Sequence, residues 1–319
     1  MEINKAINYF VTSLHHAQLS EHTIRAYSQD LYQWAAALTK NELNALAFED
    51  FQEYFIALQA SELKITSLRR KRVVIHRFLK FCCQKKLCIE KLYEYIDPIK
   101  AKKISAPKEV LSNQEIHNIF EYITGNQEKY KIKLGSSHYD YLYYCSIRNE
   151  LILYILLYTG CRAAEVVALK KQDIDLAHNH LTILAKGHKY NRIPIHEELL
   201  KAIMCYDEHL NLISNSSILK NIEESIYMFP SKQGPDIHLA TRTLHELMLK
   251  LSEVLSRHIH AHLFRHTFAS YCIAANMDIA TISSLISHSN PSITLSIYTH
   301  EIQSTQKQQE IKKLTFNID

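Results

Sequence analysis

Glycine and proline are scarce in this 319-residue chain, which contains only 5 Gly and 6 Pro. Folds built mainly from sheets need many tight turns, and tight turns depend on these two residue types. The scarcity therefore argues against a turn-rich β fold and predicts a mainly helical protein. The content of 47% hydrophobic and 22% charged residues is ordinary for a soluble globular protein, and the length favours two domains.

Long apolar runs and paired cysteines are also missing. No run of eighteen apolar residues occurs, so no membrane span is expected, and the segment from Met1 to Lys5 lacks the core of a signal peptide. The 7 Cys are an odd number and contain no Cys-x-x-Cys pair, which favours reduced thiols over a disulfide framework. We therefore expect a cytoplasmic protein without a membrane partner.

The charge is small overall but unevenly distributed. The formal net charge is +4, yet residues 60–110 contain 14 Lys and Arg against 5 Asp and Glu. A basic block in a chain that is otherwise slightly acidic suggests a polyanionic partner such as DNA. A solvated charged surface without a partner is the alternative that the count leaves open.

The first 97 residues contain four stretches with helical apolar spacing, and Ser20 is expected to cap the second of them. In the fourth, from about Ser67 to Cys83, apolar residues such as Val74 and Phe78 fall on one side and cations on the other. A row of cations suits DNA phosphates, although an ordinary amphipathic helix with a basic solvent face has the same pattern. The residues expected to bind DNA are Arg69, Arg70, Arg72, Arg77 and Lys80 of this helix, and Lys102 and Lys103 beyond it.

A lysine-rich segment with Pro98 and Pro107 indicates a linker. We predict an N-terminal helical domain over residues 1–97, a linker over 98–107 and a second domain over 108–319. Ser112 is expected to cap the first helix of the second domain, with Glu115 completing a capping box.

The rest of the second domain is predicted to mix helices with a small sheet. A buried helix over 149–159 should end at Gly160, and strands over 181–185 and 192–195 should be joined by a turn. Two further helices should begin at Asp278 and Asn290. Residues 125–147 and 211–225 have no clear period and are predicted to be insertions or loops.

An ordered set of motifs follows in the second domain. The set comprises Thr159-Gly160-Cys161-Arg162-Ala163-Ala164-Glu165, Lys186-Gly187, His262-Leu263-Phe264-Arg265-His266, Ser287-His288 and Tyr298-Thr299-His300. A single His or Tyr carries little information, because the chain has 19 of each. The combined set resembles the tyrosine recombinase family, and within it the Xer-type recombinases and phage-type integrases. The resemblance extends to the N-terminal helical domain, to Val110-Leu111-Ser112 and to Met228-Phe229-Pro230-Ser231.

The resemblance implies a fold, a reaction and residue roles. The implied fold is mainly α with a small β-sheet: an N-terminal helical core-binding (SAM-like) domain and a C-terminal tyrosine-recombinase catalytic domain. The implied reaction is site-specific DNA strand exchange through a 3′-phosphotyrosine. By position, Arg162 and Arg265 match the family's two arginines that hold the phosphate, and His288 matches a further phosphate contact. Tyr298 matches the nucleophile, His262 matches the acid–base histidine, and Lys186 matches the lysine that protonates the leaving oxygen. Glu165 matches a supporting acidic residue, and His266 matches a position that is usually structural.

Elementary chemistry is consistent with these roles. A guanidinium is always charged and binds phosphate oxygens through two parallel donors, so two arginines stabilise the charge that develops in phosphoryl transfer. A tyrosine with an ordinary pKa near 10 is a poor nucleophile without cations and a base nearby, and the leaving alkoxide needs a proton. No carboxylates with metal-ligand spacing lie near the motifs, and no Walker loop occurs, so we expect neither a metal nor a cofactor.

Three residues depart from the family pattern. Ser287 stands where the family often has Gly, Cys161 stands at a usual Leu, and Phe264 replaces a common Leu. None of the three removes a reacting group, so we expect them to change only the local packing. The stretch 125–147 is also longer than is usual in Xer proteins.

Several alternatives remain open from the sequence. The tract of His258, His260, His262 and His266 has the composition of a zinc site but lacks a familiar completing ligand. A second alternative is a type IB topoisomerase, which uses the same reacting groups but relaxes any duplex. A third is a catalytically inactive DNA-binding protein of the same fold, which would form no covalent adduct with DNA.

Partners and biological role come from the resemblance alone. We expect a double-stranded DNA recombination site, a homo-tetramer on two such sites, a nucleoid-associated location and a DNA-translocase partner. The absence of a long extra N-terminal domain favours Xer-type chromosome-dimer resolution over integration or excision of a mobile element.

Overall fold

Two compact units make up the chain. The structure, a computed structural model, describes residues 1–89, 91–97, 109–185 and 189–287. The units comprise Met1–Ile104 and Ser105–Asp319. The predicted linker, residues 98–107, lies outside the described residues. Within the described residues, no helix is long and apolar enough to cross a membrane.

Four α-helices and two short 3-10 helices form the described part of the first unit. The α-helices are α1 (Ile3–His16), α2 (Glu21–Ala37), α3 (Phe48–Gln59) and α4 (Ile65–Gln84), and the 3-10 helices span Leu43–Ala45 and Leu92–Tyr95. The fully buried Trp34 stacks on Phe51 at 6.0 Å and meets the edge of Phe78 at 5.9 Å, so one aromatic cluster joins α2, α3 and α4.

A buried ion pair also joins α2 to α4. Asp30 and Lys71 are 2% and 6% exposed, and the Nζ of Lys71 donates to Oδ1 of Asp30 at 2.9 Å and to Oε1 of Gln33 at 2.6 Å. Arg70 donates to the same carboxylate oxygen at 3.2 Å. Because a buried charge is costly unless it is paired, this contact fixes the register between the two helices.

Removing the carboxylate of Asp30 should therefore destabilise the protein strongly. Asp30→Ala leaves Lys71 charged and buried, which should cost about 3–5 kcal/mol in the free energy of unfolding. Urea denaturation of the full chain, followed by circular dichroism, measures this loss. The matched control is Glu94→Ala, which removes an exposed ion pair with Lys91 and should cost less than about 0.5 kcal/mol. Equal losses in the two variants would contradict the argument.

The second unit is a helical domain with two small antiparallel sheets. Its helices are α5 (Asn113–Lys131), α6 (Ser137–Thr159), α7 (Ala163–Val167), α8 (Glu197–Leu210), α9 (Ser216–Glu224), α10 (Thr241–Val254), α11 (Ala261–Ala274) and α12 (Ile279–Leu285). Strands β1 (Ile174–Asp175), β2 (His180–Ala185) and β3 (Lys189–Pro194) pair in the order β1-β2-β3, and β4 (Pro230–Ser231) pairs with β5 (Gly234–His238).

Helix α6 runs through the core of this unit. Its C-terminal half is apolar on every side, and Leu151, Ile152, Leu153 and Ile155 are all buried. It packs against α5, α8 and α11, so helices cover it on several sides. The prediction of a buried helix ending at Gly160 is confirmed, but the helix begins twelve residues earlier than the predicted Asn149.

The predicted helix caps agree with the described structure. Ser20 accepts from the backbone N–H of Thr23 at the start of α2, and Asp278 accepts from that of Thr281 at the start of α12. Ser112 and Glu115 form the predicted capping box of α5, with the Ser112 N–H donating to Glu115 Oε2 at 2.8 Å. The predicted cap at Asn290 lies outside the described residues.

Two predicted loops are wrong. Residues 125–147 belong mostly to α5 and α6, and residues 211–225 contain α9. The first half of α6 has buried residues on several faces, so its sequence shows no two-sided period. Helix α9 has only nine residues, too few for a clear period. In addition, β1 was not predicted, and β3 begins at Lys189 rather than at Arg192.

Candidate active site

The first motif forms the turn between α6 and α7. Helix α6 ends at Thr159, Gly160 has a left-handed φ of 60°, and Arg162 is the N-cap residue of α7. Glu165, in the first turn of α7, accepts from the backbone N–H of Arg162 and from its Nη1, both at 2.7 Å. The Glu165 side chain is 8% exposed and that of Arg162 is 35% exposed. The buried carboxylate therefore orients a guanidinium that solvent can reach.

Only glycine fits at position 160. A Cβ placed there would lie 2.5 Å from Cδ1 of Phe268 and 3.0 Å from Cγ2 of Ile286. The left-handed φ adds a further penalty for any residue with a side chain. The close approach brings the turn before Arg162 against α11 and the end of α12.

Gly160→Ala should therefore destabilise the protein by about 2–4 kcal/mol, because it combines backbone strain with a steric overlap. Chemical denaturation of the full chain measures the change. Gly125→Ala is the control, since Gly125 lies in α5 with nothing within 4 Å of its added Cβ, and Ala favours a helix. The explanation fails if the two variants unfold at the same denaturant concentration.

Arg265 links the first motif to the segment before His288. Arg265 lies on α11 and is only 2% exposed. Its Nη1 donates to the carbonyl oxygen of Gly160 at 2.9 Å, and its Nη2 donates to the carbonyl oxygen of Ile286. One buried guanidinium thus holds together the turn that precedes Arg162 and the end of α12, which are more than 120 residues apart in the chain.

Two histidines accompany Arg265 on α11. His262 is exposed, whereas His266 is 8% exposed, and their ring centroids are 4.5 Å apart at an interplanar angle of 77°. His262 lies three residues before Arg265, so both project from one side of the helix. This places an exposed imidazole beside the buried guanidinium, while His266 belongs to the packed interior.

The β2–β3 hairpin is attached to α12 by a residue that sequence reasoning missed. Asn191 of β3 donates from Nδ2 to the carbonyl oxygens of Ser284 at 3.1 Å and Leu285 at 2.8 Å. Ala185 pairs with Lys189, so Lys186 directly follows the last paired residue of β2. Asn191 therefore ties the hairpin that carries Lys186 to the helix that precedes His288. No spacing in the sequence signals a contact across 93 residues.

The three departures from the family pattern have local explanations. Cys161 is 2% exposed, and burial raises the pKa of its thiol to about 12, so it packs as a small apolar side chain. Phe264 is fully buried in the core of the unit. Ser287 has a left-handed φ of 52°, a conformation that Gly adopts without a steric penalty.

Ser287→Gly should therefore stabilise the protein by about 0.5–1 kcal/mol, because it relieves a left-handed conformation in a residue with a Cβ. A thermal or urea unfolding curve of the full chain measures this gain. The control is Ser284→Gly in α12, which should destabilise by about the helix penalty of Gly. A loss of stability in Ser287→Gly would count against strain at this position.

Three of the predicted catalytic residues are not described. Lys186, His288 and Tyr298 lie outside the described residues, as does the segment that follows Tyr298. Among the described candidates, Arg162 and Glu165 pair directly, and Arg265 reaches the turn next to them through Gly160. His262 projects from the same helix as Arg265.

The predicted DNA-binding residues of α4 have different surroundings. Arg70, Arg77 and Lys80 are exposed, although Arg70 also pairs with Asp30, and Arg69 is half-buried. Arg72 is half-buried too, with its guanidinium 4.3 Å from the ring centroid of Phe55 and donating to the Asp97 carbonyl. The predicted row of cations is thus divided, because Arg72 also serves packing. Lys102 and Lys103 lie outside the described residues.

The histidine tract shows no metal-binding geometry where it is described. His258 stacks on His260 with ring centroids 5.2 Å apart, and burial lowers the pKa of His260. Across the described ranges, no three His, Cys, Asp or Glu side chains group as metal ligands would.

Comparison with protein families identifies the chain. The model of the phage integrase family matches residues 137–304, which is more than half of the chain, and the phage integrase N-terminal SAM-like domain matches residues 7–86. The chain belongs to the phage integrase family.

Individual relatives agree with this membership. Tyrosine recombinase XerC of Staphylococcus aureus strain USA300 is 27% identical over 305 residues, covering 93% of this chain and 90% of the relative. XerC of strain MSSA476 is 28% identical over the same length, with the same coverage.

Solved structures share the fold. XerH bound to its difH substrate matches with a TM-score of 0.64 and 18% identity over 92% of this chain and 80% of that chain. A lambda integrase dimer bound to a COC′ core site matches with a TM-score of 0.66 and 14% identity over 92% and 97% of the two chains.

Membership in the family confirms the fold and the class of activity inferred from the motifs. This integrase family member is mainly α, with small antiparallel sheets, an N-terminal SAM-like domain and a C-terminal catalytic domain. It is a tyrosine recombinase, an enzyme that breaks and rejoins DNA at specific sites.

Proposed function

We propose that this protein is a Xer-type recombinase that resolves chromosome dimers, with Tyr298 as the nucleophile that attacks a phosphate of a double-stranded recombination site. The observation that carries the proposal is the position of Arg265. Its guanidinium bonds the carbonyls of Gly160 and Ile286, so the turn that carries Arg162 and the chain leading to His288 converge on a single cation. Relatives named XerC that align over 90% of their own length support the Xer role.

Strand cleavage is a transesterification in this proposal. The Tyr298 oxygen forms a bond to phosphorus, the bond from phosphorus to the 5′ oxygen breaks, and the leaving oxygen takes a proton. The product is a 3′-phosphotyrosine and a free 5′ hydroxyl. The 5′ hydroxyl of a partner strand reverses the reaction, and no outside energy source is needed because one phosphodiester replaces another.

Arg162 and Arg265 supply the positive charge in this scheme. Charge develops on the non-bridging phosphate oxygens, and permanently charged guanidiniums held in place lower the barrier by electrostatic preorganisation. The carboxylate of Glu165 is a positioning group, since its two 2.7 Å contacts hold the backbone and the guanidinium of Arg162. It touches no reacting atom.

Proton transfers are assigned to the remaining side chains. Lys186 protonates the leaving 5′ oxygen, and His262 takes the proton of the Tyr298 hydroxyl. His288 contacts the phosphate. The exposed position of His262, three residues from Arg265 on α11, supports its role, because a general base must be accessible to its substrate.

The assembly follows from the reaction. Exchanging strands between two duplexes uses four cleavage sites, so we infer a homo-tetramer on two recombination sites. A DNA translocase acts as the motor partner in the same proposal. The work takes place at the chromosome, in the cytoplasm.

Tyr298→Phe tests the nucleophile. The variant should bind a recombination site as the unaltered protein does but form no covalent protein–DNA adduct, because it lacks the attacking oxygen. The recombination site is first selected from the source genome by its binding to the protein, and a nicked duplex of that sequence then serves as the substrate. Denaturing electrophoresis detects the adduct. Tyr190→Phe, an exposed tyrosine of β3, is the control and should form the adduct. An adduct with Tyr298→Phe would remove the assignment.

Mapping the site of the adduct on the genome separates the two biological roles. A single locus at which chromosome dimers are resolved supports the Xer role, whereas the ends of a mobile element would assign the same chemistry to integration or excision. Cleavage of any duplex without site preference would instead indicate a topoisomerase.

The exposed cations of α4 should contribute to DNA affinity. Replacing Arg77 and Lys80 together by Ala should weaken DNA binding and reduce the slope of log affinity against log salt by roughly 1–2, since each phosphate contact contributes about 0.9. These two are preferable to Arg72, which also packs on Phe55. The control is Lys5→Ala, an exposed lysine of α1. An unchanged salt slope would mean that this face of α4 does not contact DNA.

A further inference from the structure

A pocket of about 510 Å³ lies in the second unit beside the N-terminal half of α6. It is lined by the start of α6, the start of α9 and the β4–β5 hairpin, and its walls combine Tyr141, Ile218 and Pro230 with polar side chains. Small-molecule sites commonly have volumes of about 300–1,000 Å³. None of the described residues that line the pocket belongs to the candidate active site, and Arg148, at the middle of α6, is twelve residues or about 18 Å along the helix from Gly160.

Arg148 is the first reason to regard this pocket as a binding site. It lines the pocket although the residue is only 4% exposed. Its guanidinium donates to Oδ1 of Asn149 at 2.9 and 3.3 Å and lies 5.6 Å from the ring centroid of Tyr144. These partners are neutral, and the ion pairs of the described residues do not include Arg148. A buried charge without a counter-charge is costly, and an anionic ligand would supply that charge.

A second cation faces the same space. Lys232, in the turn between β4 and β5, lines the pocket with its Nζ 4.7 Å from the ring centroid of Tyr141. Among the described residues that line the pocket there is no Asp or Glu. Asp140, the acid in the first turn of α6, is buried and accepts from the Gly135 N–H at 2.9 Å instead. The pocket therefore has a net positive charge.

The N-terminus of α6 adds to this positive potential. Ser137 and His138 in the first turn of α6 line the pocket, and the N-cap residue Ser136 makes no side-chain hydrogen bond there. Asn215 and Ser217 at the start of α9 line it as well, but Oδ1 of Asn215 accepts from the N–H groups of Ser217 and Ile218, so this helix end is already capped. The N-terminus of a helix attracts anions through its unpaired N–H groups and its dipole.

We propose that this pocket binds a phosphorylated small molecule of about nucleotide size, with Arg148 and Lys232 contacting the phosphate. This function goes beyond strand exchange and does not depend on it. The segments that build the pocket include residues 137–148 and 215–222, which lie largely within the two stretches whose sequence shows no period. The pocket gives these segments a function as parts of a ligand site.

Calorimetric titration of the full chain with pyrophosphate and with ATP tests the proposal. The buffer contains a chelator and little salt, and it contains no phosphate or sulfate. The unaltered protein should bind one anion per chain. Lys232→Glu should weaken binding at least about tenfold, because it replaces a charge-assisted contact with repulsion. Lys201→Ala, an exposed lysine of α8, is the control and should bind unchanged. Lys232 is exposed, so its replacement should leave the thermal unfolding curve unchanged.

A second variant and a second ligand exclude other sources of binding. Arg148→Met should also lose affinity, whereas Arg162→Ala in the candidate active site should keep it. The proposal is overturned if neither probe binds, if Lys232→Glu binds as tightly as the unaltered protein, or if affinity is lost in Arg162→Ala instead. It is equally overturned if a short DNA duplex displaces ATP and Lys232→Glu weakens DNA binding, since the pocket would then hold a DNA phosphate. Adduct formation by Tyr298 is measured separately and is unaffected by these outcomes.

Discussion

The buried guanidinium of Arg265 is the interaction on which the catalytic unit depends. It satisfies the carbonyl of Gly160, at the end of the central helix, and the carbonyl of Ile286, at the end of α12. Both oxygens would be costly to bury without a donor, and the charge would be costly to bury without acceptors. The same contacts that stabilise the fold therefore position a permanent positive charge against the turn that leads to Arg162, so one group serves both folding and the proposed preorganisation for catalysis.

The contacts of Arg265 involve two backbone positions with a left-handed φ, at Gly160 and Ser287. Gly160 has no room for a side chain beside Phe268, and the chain provides a glycine there. Ser287 adopts a similar left-handed φ immediately after Ile286, yet it is a serine. The difference is physical: steric overlap at position 160 excludes a Cβ, whereas position 287 carries only a conformational cost that the surrounding contacts offset. Strain at the residue before His288 is thus tolerated next to a proposed catalytic group.

Helix α6 connects two regions with different chemistry. At its C-terminal end the glycine turn presents Arg162, and along its N-terminal half the first turn and Arg148 line a positively charged pocket. The hairpin β2–β3 is attached to α12 through Asn191, although the two segments are distant in sequence. Rigid elements with short attachments of this kind keep catalytic groups from separate motifs in register.

The sequence alone determined the helical class, the family, the caps at Ser20, Ser112 and Asp278, and the order of the motif residues, since each depends on local spacing or on residue type. Only the tertiary structure decided that Arg265 bridges two carbonyls, that Asn191 holds the hairpin, and that Arg72 packs on Phe55 while Arg77 stays exposed. It also revealed the first half of α6, which is buried on several faces and so has no polar side to mark its period, and α9, which is too short to show one. Contacts between residues far apart in the chain arise from packing in three dimensions. Such packing produces no periodic pattern in the sequence from which these contacts could be predicted.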